Sequence, residues 1–512
     1  MLVNAAMVAA AGAGVASPLV AEAEVVRRFN VRIPLRDGIT LSADLVLPPV
    51  LPAPALVMRT PYGKAGERQS QRATVFAKGG YAHVQVDVRG RGDSEGIFEP
   101  YRNDGPDGAE VIAWAAAQDW CTGDVATYGG SYGGRMPQFT EDVDWMEVYR
   151  HRPLLTMDEA AGFASPLWRE ELRHSTLDAW WEPVRYQHRI GEVDMPVLHI
   201  SGWYDDEQIG TPANFAAMVA AGRSGQRLLM GPWGHQVNTA RKLGEVDFGP
   251  DALIDLDGYT LAFLDEHVKG TEPEGPQAPV RIFVMGANQW RDEQEWPPAA
   301  APTTVFHLSS GGHANSRFGD GRLLPPAVTA EEPPDEWTHD PDRPVPFITE
   351  QSSTQVGGPD DYHGVESRGD VLVFTSDPLA EPLEVIGPVK VIAHVATSAT
   401  DTDVTAKLLD VHPGGFAQRL CDGVVRLRYR NGFDAESPVT PGETYEVEIR
   451  MWDTCVRLPA GHRLRVEIAS SAFPKFDVNL GTGGDMITET DGVIATNRLW
   501  HTPSRPSRLI LN

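Results

Sequence analysis

The run Val125-Ala126-Thr127-Tyr128-Gly129-Gly130-Ser131-Tyr132-Gly133-Gly134 decides how the rest of the chain is read. Four residues of strand character lead straight into a G-x-S-x-G pattern, so a serine falls where a strand turns sharply into a helix. Bulky neighbours would clash at such a turn, which accounts for the flanking glycines. The turn lifts the serine oxygen above a sheet, and the N–H of the next residue faces any oxyanion that develops there. The pattern occurs a second time, as Gly92-Asp93-Ser94-Glu95-Gly96. There the preceding strand ends near Val88, an acidic residue on each side of the serine opposes an oxyanion, and loop follows rather than helix. Ser131 is therefore the expected nucleophile, and Ser94 is expected to cap local backbone groups.

Working outward, Val31 to Leu35 and Ile39 to Leu47 read as strands joined at Arg36-Asp37-Gly38, and Ala55 to Thr60 and Tyr81 to Val88 as two more. Arg68 to Lys78 and Asp107 to Gln118 suit helices. This alternation implies an α/β domain with a largely parallel sheet and helices on both faces. From Glu141 to His188 the chain is rich in Trp, Glu, Arg and His and shows no strand, so several short helices are expected. Strand character returns at Pro196 to Ser201 and Arg227 to Gly231, with a helical stretch at Pro212 to Ala221 between them and an amphipathic one at Leu253 to His267. Beyond the Pro/Gly linker Gly270 to Pro279, short β-patterned runs from Val280 to Ser470, separated by Pro and Gly turns, fit a sandwich or jelly roll. The expected divisions are residues 1–24 as a leader or disordered segment, 25–140 and 191–270 as two parts of the α/β domain, 141–190 as a helical cap, and 280–512 as the β domain.

A serine needs a base, and in this architecture the order runs serine, acid, histidine, each after a strand. Asp205 follows Pro196 to Ser201 within Gly202-Trp203-Tyr204-Asp205, and His235 follows Arg227 to Gly231 within Gly231-Pro232-Trp233-Gly234-His235. Both fall at the carboxyl ends of strands, where such sheets bind and react. His235 would take the serine proton, and a buried carboxylate would fix its tautomer and stabilise the imidazolium. Asp206 and Glu207 rival Asp205, which is preferred as nearer the strand end. His199 reads as a core residue. His83, His151, His174 and His188 lack strand-end placement and read as solvent-facing or structural. The chain has no H-E-x-x-H sequence, and Cys121, Cys421 and Cys455 are far apart, so neither a catalytic metal nor a cofactor is expected.

Composition sets the outer limits. The 512 residues suggest three to four domain-sized pieces. With 44 basic against 71 acidic residues, the net charge of -27 argues against a nucleic-acid partner. With 41% hydrophobic and 22% charged residues the chain can bury real cores. Past the N-terminus no apolar run reaches membrane-spanning length. Met1 to Val20 is small and apolar and Ala21-Glu22-Ala23 resembles a cleavage site, yet no basic residue precedes Arg27. A cytoplasmic protein is expected, with a secreted or periplasmic one as the alternative. The expected partner is a small-molecule or short-peptide substrate; a homo-oligomer is left open.

These residues together resemble the CocE/NonD group of serine hydrolases, which includes bacterial cocaine esterase, Xaa-Pro dipeptidyl-peptidases, α-amino-acid ester hydrolases and glutaryl-cephalosporin acylase-like enzymes. The resemblance rests on Pro34-Leu35-Arg36-Asp37-Gly38, Arg59-Thr60-Pro61-Tyr62, the run Asp87 to Gly96, Trp120 to Gly123, Gly130 to Gly134, the Asp205 and His235 motifs, Phe283-Val284-Met285-Gly286 and Ser471-Ala472-Phe473-Pro474. It implies an α/β-hydrolase domain with an inserted short helical cap, followed by a C-terminal jelly-roll domain. It also implies that Ser131, Asp205 and His235 form a triad, with the Tyr62 hydroxyl and the Tyr132 N–H as the oxyanion hole. Cleavage of small esters or amides is the activity expected. The alternatives are Xaa-Pro dipeptide release, α-amino-acid ester or cephalosporin side-chain hydrolysis, and a non-catalytic binding protein. Members that grip a substrate amino group use acidic residues near the serine; Glu141, Asp142, Asp144, Asp158 and Glu159 are acidic here, but Gly134 is not.

Overall fold

The computed structural model describes residues 24–131, 143–273, 275, 277–325, 331–349 and 357–511. The chain divides into two compact units, one holding the described residues up to Gly96 together with Gly108–Tyr128, the other holding Ile97–Asp107 and the described residues from Gly129 onward.

The first unit is built on a five-stranded sheet. Its strands are β1 (Val26–Pro34), β2 (Thr40–Leu47), β3 (Ala53–Thr60), β4 (Ala82–Asp87) and β5 (Cys121–Thr127), in the order β1-β2-β4-β3-β5. The β1–β2 hairpin and the β2–β4 pair are antiparallel, whereas β3 pairs in parallel with both β4 and β5. Two helices make the crossovers, α1 (Glu67–Lys78) between β3 and β4 and α2 (Asp104–Ala116) between β4 and β5. The strand period of two sorts the side chains between the faces. Leu41, Ala43 and Leu45 of β2 pack with Val111 and Ala115 of α2, while Val46 turns the other way onto Ala73 and Ala77 of α1. The two helices thus cover opposite faces, as the alternation in the sequence implies.

In the second unit β6 (Val197–Gly202) and β7 (Gln226–Gly231) pair in parallel, with α6 (Gly210–Ala220) as their crossover. The strand Val280–Val284, reached through α7 (Leu256–Val268), pairs in parallel with β7, and Gln289–Glu293 pairs antiparallel to it. The sequence reading places these residues in the β domain; hydrogen bonds attach Val280–Val284 to β7, and Gln289–Glu293 to Val280–Val284 in turn. A short apolar run carries no record of its partner, and Val280–Val284 is buried along most of its length in either setting. Just beyond it, the Met285 N–H donates to the Cys455 carbonyl, so the chain passes directly from one sheet to the other.

The segment between β5 and β6 contains the expected short helices, α3 (Trp145–Arg150), α4 (Met157–Ala160) and α5 (Pro166–Arg173), with 3-10 turns between and after them. Trp145, Val148 and Met157 form its small core. The buried Asp158 carboxylate takes both ends of the Arg169 fork at 3.0 and 3.1 Å and the Ser165 N–H at 2.6 Å, which ties α4 to α5. The C-terminal domain is mostly β, with eleven strands in one hydrogen-bonded network and a continuous core that includes Leu372, Val391, Leu408, Ile449 and Val466. Among the described residues no helix is long and apolar enough to cross a membrane.

One close approach sets the ends of β6 and β7. The Trp203 N–H donates to the Gly231 carbonyl at 2.9 Å and the Tyr204 N–H to the Trp233 carbonyl at 3.0 Å, extending the pairing past both strands. A Cβ on Gly202 would fall on the Trp233 carbonyl, and one on Gly231 would fall on the Trp233 indole. Gly202→Ala is therefore expected to lower stability by about 1–3 kcal/mol, the usual cost of overpacking, and to reduce activity by displacing the loop after β6. A denaturation midpoint measured beside wild type checks this; an unchanged midpoint would show that the loops can separate freely.

Candidate active site

Ser131 lies four residues past β5 with φ at +52°, in the left-handed region that a non-glycine residue occupies only under constraint. Among the described residues nothing lies within 4 Å of where a Cβ on Gly129 or Gly130 would sit. The described residues therefore show no crowding that would require glycine at either position, contrary to the expectation from the sequence. The Ser131 side chain is exposed.

Asp205 and His235 stand on the loops that follow β6 and β7, and aromatic side chains peg both loops down. The Trp203 indole N–H donates to the Phe283 carbonyl at 2.8 Å and the Tyr204 hydroxyl to the Arg419 carbonyl at 3.1 Å. The fully buried Trp233 donates to the Ala252 carbonyl at 2.7 Å. The aromatic residues of the two motifs are thus the anchors that fix where the polar residues after them point.

The resulting line of contacts runs through His235. Its Nε2 lies 2.8 Å from Ser131 Oγ, and its Nδ1 lies 2.9 Å from Asp205 Oδ1. Asp205 is buried, and its other oxygen accepts from the Ser201 hydroxyl at 2.8 Å while Oδ1 also accepts from the Glu207 N–H at 3.0 Å. Burial alone would raise the Asp205 carboxyl, but the hydrogen bonds from His235, the Glu207 N–H and Ser201 outweigh it and hold the pKa below its ordinary value. Asp206 also faces the imidazole, with Oδ1 3.3 Å from Nδ1, but its side chain is 39% exposed against 10% for Asp205. Hydrogen bonding to Asp205 first, then to Asp206, raises the His235 pKa above its ordinary value against the opposing effect of burial. The arrangement can take a proton from a serine hydroxyl and stabilise the cation that results. Asp205, Asp206 and His235 also offer three ligand atoms within 4.8 Å of one another. Asp205 and His235 of that set already carry hydrogen bonds to Ser201, Glu207 and Ser131.

The Ser94 hydroxyl donates to the Asp87 carbonyl at 2.7 Å and accepts from the Ser42 N–H at 2.8 Å, the backbone-capping role expected of it. His199 is buried in β6 against Gln226, and His83 is buried in β4 with its Nε2 2.8 Å from the Tyr128 hydroxyl. His151 meets the Thr156 hydroxyl, His174 meets Asp178, and His188 lies 3.7 Å from Glu182. Tyr62 belongs to the first unit, just past β3, with 43% of its surface exposed. Tyr132, Glu141 and Asp142 lie outside the described residues. Asp144 caps α3, and Asp158 and Glu159 both pair with Arg169, so each of these three already has a structural partner. Sequence reasoning missed Ser201 as a donor to Asp205. Its only signal was a serine near the carboxyl end of the strand, four residues before Asp205. Two cavities of about 180 and 480 Å³ adjoin α3 and the loops around Asp342 and Phe473, and neither is lined by Ser131, Asp205 or His235.

Comparison with known proteins places the chain in a family. Residues 37–144 and 138–237 match the family described as X-Pro dipeptidyl-peptidase (S15 family), and residues 275–510 match the X-Pro dipeptidyl-peptidase C-terminal non-catalytic domain. The chain is 33% identical to the cocaine esterase of Rhodococcus sp. (strain MB1 Bresler), over 94% of this chain and 97% of that one. Two solved structures share the fold at 24% identity. An aminopeptidase from a marine sediment archaeon, Thaumarchaeota archaeon, has a TM-score of 0.83 over 97% of both chains. An α-amino acid ester hydrolase has a TM-score of 0.84 over 97% of this chain and 99% of that one. Full-length identity to one relative, matched family regions on both sides of the α/β–β junction, and the fold itself agree: the chain belongs to the CocE/NonD and S15 family of α/β-hydrolases and is a serine hydrolase.

Proposed function

We propose that the protein is a serine esterase, acting on small esters and related amides through an acyl intermediate on Ser131. The observation that carries this reading is His235, whose two ring nitrogens meet Ser131 Oγ and Asp205 Oδ1 at 2.8 and 2.9 Å. The 33% identity to a cocaine esterase supports ester cleavage in particular. Ser131 Oγ attacks the substrate carbonyl carbon as its proton passes to His235 Nε2, and the carbonyl electrons move onto oxygen. The Tyr132 N–H and the Tyr62 hydroxyl are the donors proposed for that oxyanion, on the strength of the family resemblance. Collapse expels the alcohol, which takes the proton from His235, and leaves the acyl group on Ser131. Water then repeats the attack with His235 again as base and releases the acid. Asp205 holds the ring with Nδ1 protonated throughout.

A fluorophosphonate probe followed by peptide mapping should label Ser131 and leave Ser131→Ala unlabelled; a label on Ser94 would refute the assignment. On substrates, p-nitrophenyl esters of short acids should be cleaved faster than Ala-Pro or Gly-Pro anilides. The reverse order would favour dipeptide release.

The two aspartates should separate by kinetics. Asp205→Asn should cut kcat by roughly 10⁴, as loss of the orienting carboxylate does in a serine protease. Asp206→Asn should keep the plateau rate within a few fold and change the pH profile instead. His235 must be neutral to accept the serine proton, so activity falls as pH drops through its pKa. Two carboxylates raise that pKa, and removing Asp206 lowers it, so the acid limb should move to lower pH. An acid limb that stays in place would show that Asp206 does not act on the ring.

Tyr62→Phe should lower kcat by about 10² to 10³ with KM changed little, because an oxyanion donor acts mainly in the transition state. Its ring is partly exposed, so the melting temperature should hold. A near wild-type kcat would remove Tyr62 from the mechanism.

A further inference from the structure

The β domain gathers a second group of ligating side chains outside the active site. The strand Asp403–Val411 lies between Ala417–Arg426 and Arg463–Ala469, and its Asp410 stands opposite both Gln418 and Leu464. His412 is two residues beyond Asp410 and His462 two residues before Leu464, so the alternation of a strand carries both rings to the face that holds the Asp410 carboxylate. His462 Nδ1 lies 2.8 Å from Asp410 Oδ1, and His412 Nε2 lies 3.6 Å from Asp410 Oδ2 and 3.3 Å from Gln418 Oε1. One atom from each of Asp410, His412 and His462 lies within 4.8 Å of the others.

We propose that Asp410, His412 and His462 bind one divalent transition-metal ion of the zinc class. Two imidazoles and one carboxylate are the donor set that suits zinc, cobalt or nickel, whereas calcium and magnesium take six or more oxygens. Tetrahedral ligands at 2.0–2.1 Å stand roughly 3.4 Å apart, so small side-chain rotations close the set. Gln418 Oε1 or a water supplies the fourth ligand. A simple structural pair would need only one histidine on Asp410. Here two rings converge on one carboxylate with centroids 4.5 Å apart, close enough for one cation to take a lone pair from each. The carboxylate is buried at the floor, and the His412 side chain is 35% exposed, leaving a path for the ion. On binding, each imidazole coordinates as the neutral ring, giving the metal the lone pair of one nitrogen and keeping its single proton on the other, so that only a ring that began as imidazolium releases a proton to solvent. The ion clips the hairpin between Asp403–Val411 and Ala417–Arg426 to the start of Arg463–Ala469 and takes no part in the serine chemistry.

The test uses the full chain after treatment with EDTA and dialysis, titrated with zinc sulfate against a chromogenic chelator. One ion should bind at this site at micromolar or lower free zinc, the melting temperature should rise, and calcium should do neither. Ester hydrolysis by the EDTA-treated protein should match that of the untreated protein. His412→Ala, and separately His462→Ala, should reduce the bound zinc by one equivalent and abolish the thermal shift, a larger loss than the roughly 10- to 100-fold that outer-shell changes cost. His412 is partly exposed, so its variant carries the test if His462→Ala does not fold. An ion held at the Asp205, Asp206 and His235 group would be retained in both variants. Unchanged stoichiometry and affinity in His412→Ala, or no zinc bound by wild type at micromolar concentration, would overturn the proposal.

Discussion

The approach of Gly202 to the Trp233 carbonyl is the constraint on which the geometry of the candidate active site rests. It brings the ends of β6 and β7 together more closely than any side chain at position 202 would allow, and the Trp203 and Tyr204 N–H groups seal the contact. Asp205 and His235 each follow within three residues of it. Loops carry catalytic groups accurately only when a scaffold leaves them little freedom. Here the indoles of Trp203 and Trp233 and the Tyr204 hydroxyl each spend their one polar atom on a backbone carbonyl, so burial and hydrogen bonding both hold the loops.

Electrostatics then give the site its direction. A buried carboxylate is unfavourable unless its oxygens are satisfied, and those of Asp205 accept from Ser201, Glu207 and His235. Asp206 adds a second negative charge at the same ring nitrogen, closer to solvent and so more weakly felt. At the other ring nitrogen stands Ser131, held in a backbone conformation that a serine adopts only when its surroundings impose it. Strain of that kind costs on the order of 1–3 kcal/mol, and here it falls on the residue proposed as the nucleophile.

Acidic residues of the segment between β5 and β6 are committed to structural partners. Asp158 and Glu159 could have held a substrate amino group; they pair with Arg169, and Asp144 caps a helix. Tyr204 and Gln208 in turn hydrogen-bond backbone carbonyls of the β domain, at Arg419 and Asp453. The C-terminal β domain thereby takes part in fixing the loop that carries Asp205.

The order of strands and helices, the turn at Ser131, and the strand-end positions of Asp205 and His235 could all be read from the sequence, because they depend on local periodicity and on glycines beside one another in the chain. The family could be read from the same motifs. Other features depend on residues distant in sequence. The attachment of Val280–Val284 to β7, the donation from Ser201, the approach of Asp206 to a ring already paired with Asp205, and the meeting of Asp410 with His462 fifty-two positions later come from sheet register and loop packing. A strand's sequence says which face each side chain takes. Which strand lies beside it is settled only when the whole chain has found a place for its apolar surface.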